Sequence, residues 1–313
     1  MTEINLNVNL AGIALDNPIV AASGPFGHGT EYSRLTGMRA LGAITVKGIS
    51  LEPWSGNRPP RLAETASGLL NAIGLQNPGL VSFLQKELPE LKKLGVPLII
   101  NIAGSTDEEY AAVAAGLNDI GGISGLEINI SCPNLKAGGI SFGVDPEATY
   151  RVVRVVRKET DLPLLVKLSP NVTDITPIAR AAEEAGADGL SLINTLSGMV
   201  IDLERKKPLL GAGFGGLSGP AIMPVALKMV WQAASAVNIP ILGMGGITSA
   251  SDAIQFILAG SRAVAIGTGI FYNPRLPGQI IDGIAAYMKN NGFTSIEQIE
   301  GLAHRDGDNN VRD

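Results

Sequence analysis

The segment Ile128-Asn-Ile-Ser-Cys-Pro-Asn134 carries the chain's only thiol, and Pro133 directly after Cys132 stops an apolar run and fixes the backbone there. A thiolate whose pKa lies near the working pH is a competent general base. A free cysteine is otherwise a small buried hydrophobe, so its neighbours decide. Asn71, Asn101, Asn129, Asn134 and Asn194 lie at or beyond the ends of apolar runs, or in adjoining loops. An amide offers a donor and an acceptor without charge, so several converging amides can read the alternating N–H and C=O edge of a pyrimidine-like ring. Lys47 and Lys167 end two further apolar runs. An ammonium held there must be paired with an anion or desolvated. Lys167 could form a Schiff base, as in an aldolase, or place positive charge beside an electron-rich ring.

Glycine marks a second kind of site. Gly243-Met-Gly-Gly-Ile247 and Gly267-Thr-Gly269 follow the last two apolar runs, where glycine lets backbone N–H groups approach a phosphate closely. Gly213-Phe-Gly-Gly-Leu-Ser-Gly219 has neither the spacing nor the context of a dinucleotide fingerprint. The expected ligand is therefore a mononucleotide or a phosphosugar.

Composition narrows the chemistry. One cysteine and two histidines among 313 residues exclude an internal disulfide, a four-thiolate iron–sulfur cluster, a Cys-rich zinc site and a three-His metal centre. No resident metal is expected, and redox chemistry needs a borrowed cofactor. Flavin mononucleotide, FMN, has one phosphate and redox capacity, so it fits both constraints. The net charge of -5 lacks the basic footprint of a nucleic-acid binder. No run of about 18 apolar residues spans a membrane, and the start lacks a signal peptide's basic region and apolar stretch, so a cytoplasmic enzyme is expected.

These residues need a scaffold. Ile4 to Leu15 alternates apolar and polar residues around Gly12 and predicts a β-hairpin. Eight short apolar runs follow: Ile19 to Ala22, Ala43 to Lys47, Pro97 to Ile102, Leu126 to Ile130, Pro163 to Leu168, Gly189 to Ile193, Ile239 to Met244 and Ala263 to Gly267. They lack strict alternation, as strands buried on both faces do. Helical patterns separate them: Val81 to Leu94, Glu108 to Asn118, Glu147 to Glu159, Ile175 to Ala185, Ile222 to Ala236 and Ser251 to Ala259. Asp107, and Ser251 with Asp252, are predicted caps, while Gly95, Gly186 and Gly260 are predicted stops. Eight strands alternating with helices predict an α/β fold, a (β/α)8 TIM barrel behind the hairpin, in one domain spanning residues 1–313. An open doubly wound sheet is the alternative. Barrel chemistry sits at the C-terminal strand ends, where Ser23, Lys47, Asn101, Asn129, Lys167, Asn194 and the glycine loops all fall. The stretch Ala137 to Gly143 could move as a lid. The polar tail, 304–313, is expected to be disordered.

Several motifs resemble those of the dihydroorotate dehydrogenases. They are Asn71-Ala-Ile-Gly-Leu-Gln-Asn-Pro78, Asn129-Ile-Ser-Cys-Pro-Asn134, Val166-Lys-Leu-Ser-Pro-Asn171, Ile193-Asn-Thr-Leu196, Gly216-Leu-Ser-Gly-Pro220 and Gly243-Met-Gly-Gly-Ile247. The resemblance spans almost the whole chain and implies oxidation of dihydroorotate to orotate in pyrimidine biosynthesis. It implies FMN contacts from Ser23, Lys47, Gly48, Asn101, Asn129, Lys167, Ile193, Gly219, Gly245, Gly246, Gly267 and Thr268. Substrate contacts are implied for Lys47, Asn71, Ala72, Ile73, Gly74, Leu75, Asn129, Asn134, Asn194 and Thr195. Cys132 would remove the C5 proton while hydride leaves C6 for flavin N5.

A cysteine base and no amino-terminal membrane helix resemble the cytosolic class 1 enzymes. Lys47-Gly, Leu51-Glu-Pro53, Gly56-Asn57 and Asn171-Val-Thr-Asp-Ile175 resemble the B type, which passes electrons to NAD. That type implies a homodimer joined to a subunit carrying FAD and a [2Fe–2S] cluster, as a heterotetramer of two of each. This chain has neither a dinucleotide fingerprint nor cluster ligands, so another polypeptide would supply both. Pro25 and His28 depart from the family pattern in Ser23 to Gly29. The A type, a homodimer that reduces fumarate without a partner, is the alternative within the family. Outside it stand a Schiff-base aldolase on Lys167 and a non-catalytic flavin-binding scaffold.

Overall fold

A computed structural model of the chain describes residues 4–27, 40–131 and 142–305. The hairpin comes first, as β1 (Val8–Leu10) and β2 (Ile13–Leu15), with Leu10 paired to Ile13 across Ala11 and Gly12. Both turn residues have positive φ, 55° and 92°, the geometry that matches strand twist in a two-residue hairpin. The next strands are β3 (Ile19–Ala21), β4 (Ala43–Ile49), β5 (Leu62–Thr65), β6 (Gly68–Asn71), β7 (Leu98–Ile102), β8 (Gly125–Asn129), β9 (Leu164–Lys167) and β10 (Gly189–Leu192). They are followed by β11 (Leu196–Gly198), β12 (Ile201–Asp202), β13 (Lys207–Pro208), β14 (Gly215–Ser218), β15 (Ile241–Met244) and β16 (Ala263–Ile266).

Eight of these, β3, β4, β7, β8, β9, β10, β15 and β16, pair in chain order and all parallel, and β16 closes on β3. The closed ring is the predicted (β/α)8 barrel, so the open-sheet alternative is ruled out. Ile19, Ile44, Val46, Ile100, Ile128 and Val166 are completely buried in it. The hairpin stoppers the bottom: a Cβ on Gly125, the first residue of β8, would meet Ile13 Cδ1 at 2.7 Å, and one on Gly189 would meet Ala11 at 3.1 Å.

Helices form the outer layer, and their ends refine the expected boundaries. Thr106 caps Asp107–Asn118 by accepting from Glu109 N, and Ser249 caps Ala250–Leu258 by accepting from Asp252 N. The predicted caps Asp107, Ser251 and Asp252 therefore lie inside their helices, where acidic groups favour the first turn. The helix expected over Val81 to Leu94 is broken into Leu80–Ser82, a π turn at Phe83–Glu87, and Leu88–Lys92. Pro89 has no N–H to donate to Gln85, so the ladder slips and Leu88 N donates to Phe83 O instead. Gly95, Gly186 and Gly260 adopt positive φ just past helix ends, as expected of stops.

Two features above the barrel were not expected. The run predicted to stop at Lys47 continues to Ile49, and its register against β7 shifts between Val46 and Ile49. One extra residue is a bulge, which re-aims Lys47 and Gly48. A separate antiparallel sheet, in the order β11, β14, β6, β5, stands at the mouth with its own small core of Ala63, Leu70, Ala72 and Leu210. Of the expected tail, His304 ends a short 3-10 helix with its ring stacked 3.7 Å from Trp231. Residues 306–313, and 132–141 with most of the expected lid, Ala137 to Gly143, lie outside the described residues. Among the described residues, no helix is long and apolar enough to cross a membrane.

Candidate active site

The C-terminal strand ends surround a cavity of about 920 Å³, near the upper end of the size range of small-molecule sites. Its walls take in Ser23, Lys47, Gly48, Asn101, Asn129, Lys167, Ile193, Gly219, Gly245, Gly246, Gly267 and Thr268, the expected cofactor set. The residues Asn71 to Leu75, with Asn194 and Thr195, line the same space. Cys132, Asn134 and His28 lie outside the described residues.

The floor is a charged cluster on adjacent strands. Lys167, at the end of β9, donates to Ser23 Oγ at 3.1 Å and stands 3.8 Å from Glu127 Oε1. Glu127 also accepts from Asn101 Nδ2 at 2.6 Å, its register partner on β7. Lys167 and Glu127 are 5% and 1% exposed, so each is the other's compensation for leaving water. Glu127 was not among the residues singled out from the sequence. Its signal was a charged residue inside an apolar run, which must find a partner if the run is a buried strand.

Next to this floor is a cluster of amides. Asn129 Oδ1 accepts from Ser131 Oγ at 2.9 Å and from Asn194 Nδ2 at 3.4 Å, while Asn194 Nδ2 also donates to Ser131 Oγ. Ser131, another residue the sequence reading passed over, thus joins the two asparagines. Asn171 holds the rim: its Nδ2 donates to Thr195 O at 3.3 Å and its Oδ1 accepts from Ser197 N at 2.9 Å. Asn71 Nδ2 reaches Gly216 O at 3.2 Å, tying β6 to β14. The side wall is the extra sheet, which brings residues 64–69 and 214–216 to the cavity. The turn residues Ser67-Gly68, with Leu69 and Leu70 directly after them, were the sequence sign of that hairpin.

Glycine geometry shapes the far end. Gly245 and Gly246 have φ of 129° and 81°, and a Cβ on Gly246 would come 2.6 Å from Met223 Cβ and 2.8 Å from Gly219 O. A Cβ on Gly267 would meet nothing nearer than 3.7 Å, so its cavity side is open. Thr268 Oγ1 donates to Ser218 Oγ at 2.6 Å. Asn101 Oδ1 is buried, has no hydrogen-bond partner, and faces Gly48, where a Cβ would come within 2.7 Å of it. An orphaned acceptor, a buried lysine and glycine turns at β15 and β16 fit a flat, phosphorylated ring system that offers N–H donors.

The sequence comparisons agree with this geometry. The family model for dihydroorotate dehydrogenase matches residues 5–288. The chain is 54% identical over 302 residues to "Dihydroorotate dehydrogenase B (NAD(+)), catalytic subunit" of Desulforamulus reducens, covering 96% of this chain and 99% of that protein. Proteins of the same description from Alkaliphilus metalliredigens and Geobacter sulfurreducens are 52% and 50% identical over 301 residues, with the same coverage. With a barrel whose strand ends gather the family's motifs into one cavity, and a match over nearly its whole length, this chain belongs to the dihydroorotate dehydrogenase family.

Proposed function

We propose that this chain is the catalytic subunit of a B-type dihydroorotate dehydrogenase, oxidising dihydroorotate to orotate with FMN and sending the electrons on to NAD. The observation that carries the reading is one cavity lined by both Lys167 and Asn101, which Glu127 holds from behind, and the Asn129, Ser131 and Asn194 amides. Bound FMN supplies the two-electron acceptor. Ser23, Lys167, Asn101, Asn129 and Ile193 would hold its ring system, and Gly219, Gly245, Gly246, Gly267 and Thr268 would hold its phosphate end. Positive charge from Lys167 stabilises electron density that accumulates on a ring above it.

Substrate would be bound by Asn71 to Leu75, Asn134, Asn194 and Thr195, with Lys47 and Asn129 shared between the two ligands. Lys47, which lines the cavity beside the bulge, is the cation suited to the substrate carboxylate. Amides on Asn129 and Asn194 are already fixed through Ser131, so they meet the substrate's N–H and C=O groups with little ordering to do. Cys132 would take the C5 proton as the C5–C6 double bond forms. The partner would be a subunit with FAD and a [2Fe–2S] cluster, two copies of which join two copies of this chain in a cytoplasmic heterotetramer. All three relatives named above are described as B-type catalytic subunits, which favours that type over the fumarate-reducing A type.

The test is direct. Purified chain should be yellow and should bleach anaerobically with dihydroorotate, whereas folded, colourless protein that takes up no flavin sinks the proposal. Rapid fumarate reduction by the chain alone counts against the B type. A substrate adduct trapped on Lys167 by borohydride would revive the aldolase reading.

A further inference from the structure

Glu127 has no part in the contacts assigned above, yet it touches two residues that do. As a carboxylate it can only accept hydrogen bonds, so it dictates which end of the Asn101 amide turns toward it. The NH₂ group donates to Glu127 Oε1 at 2.6 Å, and Oδ1 is left facing Gly48 without a partner. Residue 48, on the bulge of β4, can pack this closely against Oδ1 only because it has no side chain: a Cβ there would come within 2.7 Å of it. The same Oε1 lies 3.8 Å from Lys167 Nζ in a site where both side chains are almost fully buried. There the carboxylate offsets much of the lysine's field on anything bound above it.

We propose that Glu127 is a positioning residue with two effects: it holds the Asn101 amide in place at the cavity wall, and it sets the net charge that Lys167 presents to a ring bound there. This rests on the proposed FMN site. Glu127→Gln removes the charge while its amide oxygen can still accept from Asn101. The unbalanced ammonium then favours the reduced ring, because added electron density lies closer to net positive charge. Glu127→Asp keeps the charge but withdraws the carboxylate by one methylene, so the Asn101 contact is lost and the charge balance largely kept.

The experiment is a redox titration of the FMN-loaded chain against a reference dye, together with FMN dissociation rates, for both variants. For Glu127→Gln the expected result is a two-electron midpoint raised by about 30 mV, equivalent to about tenfold in the reduction equilibrium. For Glu127→Asp the expected result is a midpoint close to wild type with FMN lost at least about fivefold faster, a ratio corresponding to about 1 kcal/mol. If Glu127→Gln does not fold, the Asp variant carries the test through its dissociation rate. An unshifted midpoint in Glu127→Gln, or wild-type FMN retention in Glu127→Asp, overturns the inference and leaves the FMN site standing. Wild-type chain that binds no FMN overturns both.

Discussion

The Tyr110 hydroxyl donates to the backbone carbonyl of Asn129 at 2.7 Å, linking an outer helix to the strand end that carries the amide cluster. The tyrosine is completely buried, and its ring meets Phe142 edge to face at 5.8 Å. Asn129 and Phe142 flank the segment that contains Cys132. On the same side, a Cβ on Gly143 would come 2.7 Å from Ile130 O, so the two flanks pack directly on each other. One side chain from the helical layer thus fixes both entry and exit of the segment expected to supply the base.

Tyr110→Phe keeps the ring and leaves the Asn129 carbonyl unsatisfied in the core. A stability loss of about 1 to 2 kcal/mol is expected. For a domain of this size each kcal/mol is about 2–4 °C in Tm. The Asn129 side chain shares its position with the backbone, so KM for dihydroorotate should rise as well. Thermal unfolding and steady-state kinetics check this together, and unchanged values in both would show that the bond fixes nothing.

Gly246→Ala tests the glycine turn. At φ 81°, with Met223 Cβ 2.6 Å and Gly219 O 2.8 Å from the added methyl, the backbone must move. FMN affinity should fall at least about tenfold, or about 1.4 kcal/mol. Gly95→Ala is the control: φ is 69°, but nothing lies within 4 Å of its Cβ. It should cost about 1 kcal/mol of stability through backbone strain alone. Equal FMN losses in both variants would refute a specific role for the turn.

Lys167→Met separates structure from function at the floor. Removing the cation strands Glu127 in the core, and breaking a buried pair from one side costs about 3–5 kcal/mol. The double variant with Glu127→Gln removes the stranded charge and should recover part of that loss, while FMN reduction stays impaired. Urea unfolding of the two single variants and the double gives the coupling directly. Additive losses would show that the 3.8 Å pair is not coupled.

Which parts were legible in the sequence follows from what a linear pattern records. The eight barrel strands were readable because each must be apolar on both faces, and the site residues because strand ends in such barrels face one mouth. Glu127 was hidden because its partners, Asn101 and Lys167, lie 26 and 40 positions away and meet it only through strand register. The bulge at Lys47 and Gly48 left no sign, since a register shift belongs to a pair of strands and not to one. The mouth sheet was missed for a related reason: β14 is a glycine-rich strand whose pairing partner, β6, is about 150 residues earlier.

Glu300 supplies a pH test remote from the cavity. Burial, the largest cause, raises its pKa above the ordinary 4.5, although Arg262 beside it pulls the other way. Arg262 also donates to Asn9 O at 3.4 Å, so the pair joins the chain's last helical turns to the first hairpin. With the folded value above the unfolded one, the native state holds more protons within the window between them, and stability falls as pH rises through it. The contribution is fully present below the ordinary value and is lost once pH passes the raised folded value. Glu300→Gln cannot titrate and lacks this slope. From about pH 4 to about pH 7 the wild type should therefore lose stability relative to the variant, measured as the difference between their urea midpoints at each pH. A difference that stays constant, or that moves in favour of the wild type as pH rises, would mean that the Arg262 pairing outweighs burial at Glu300.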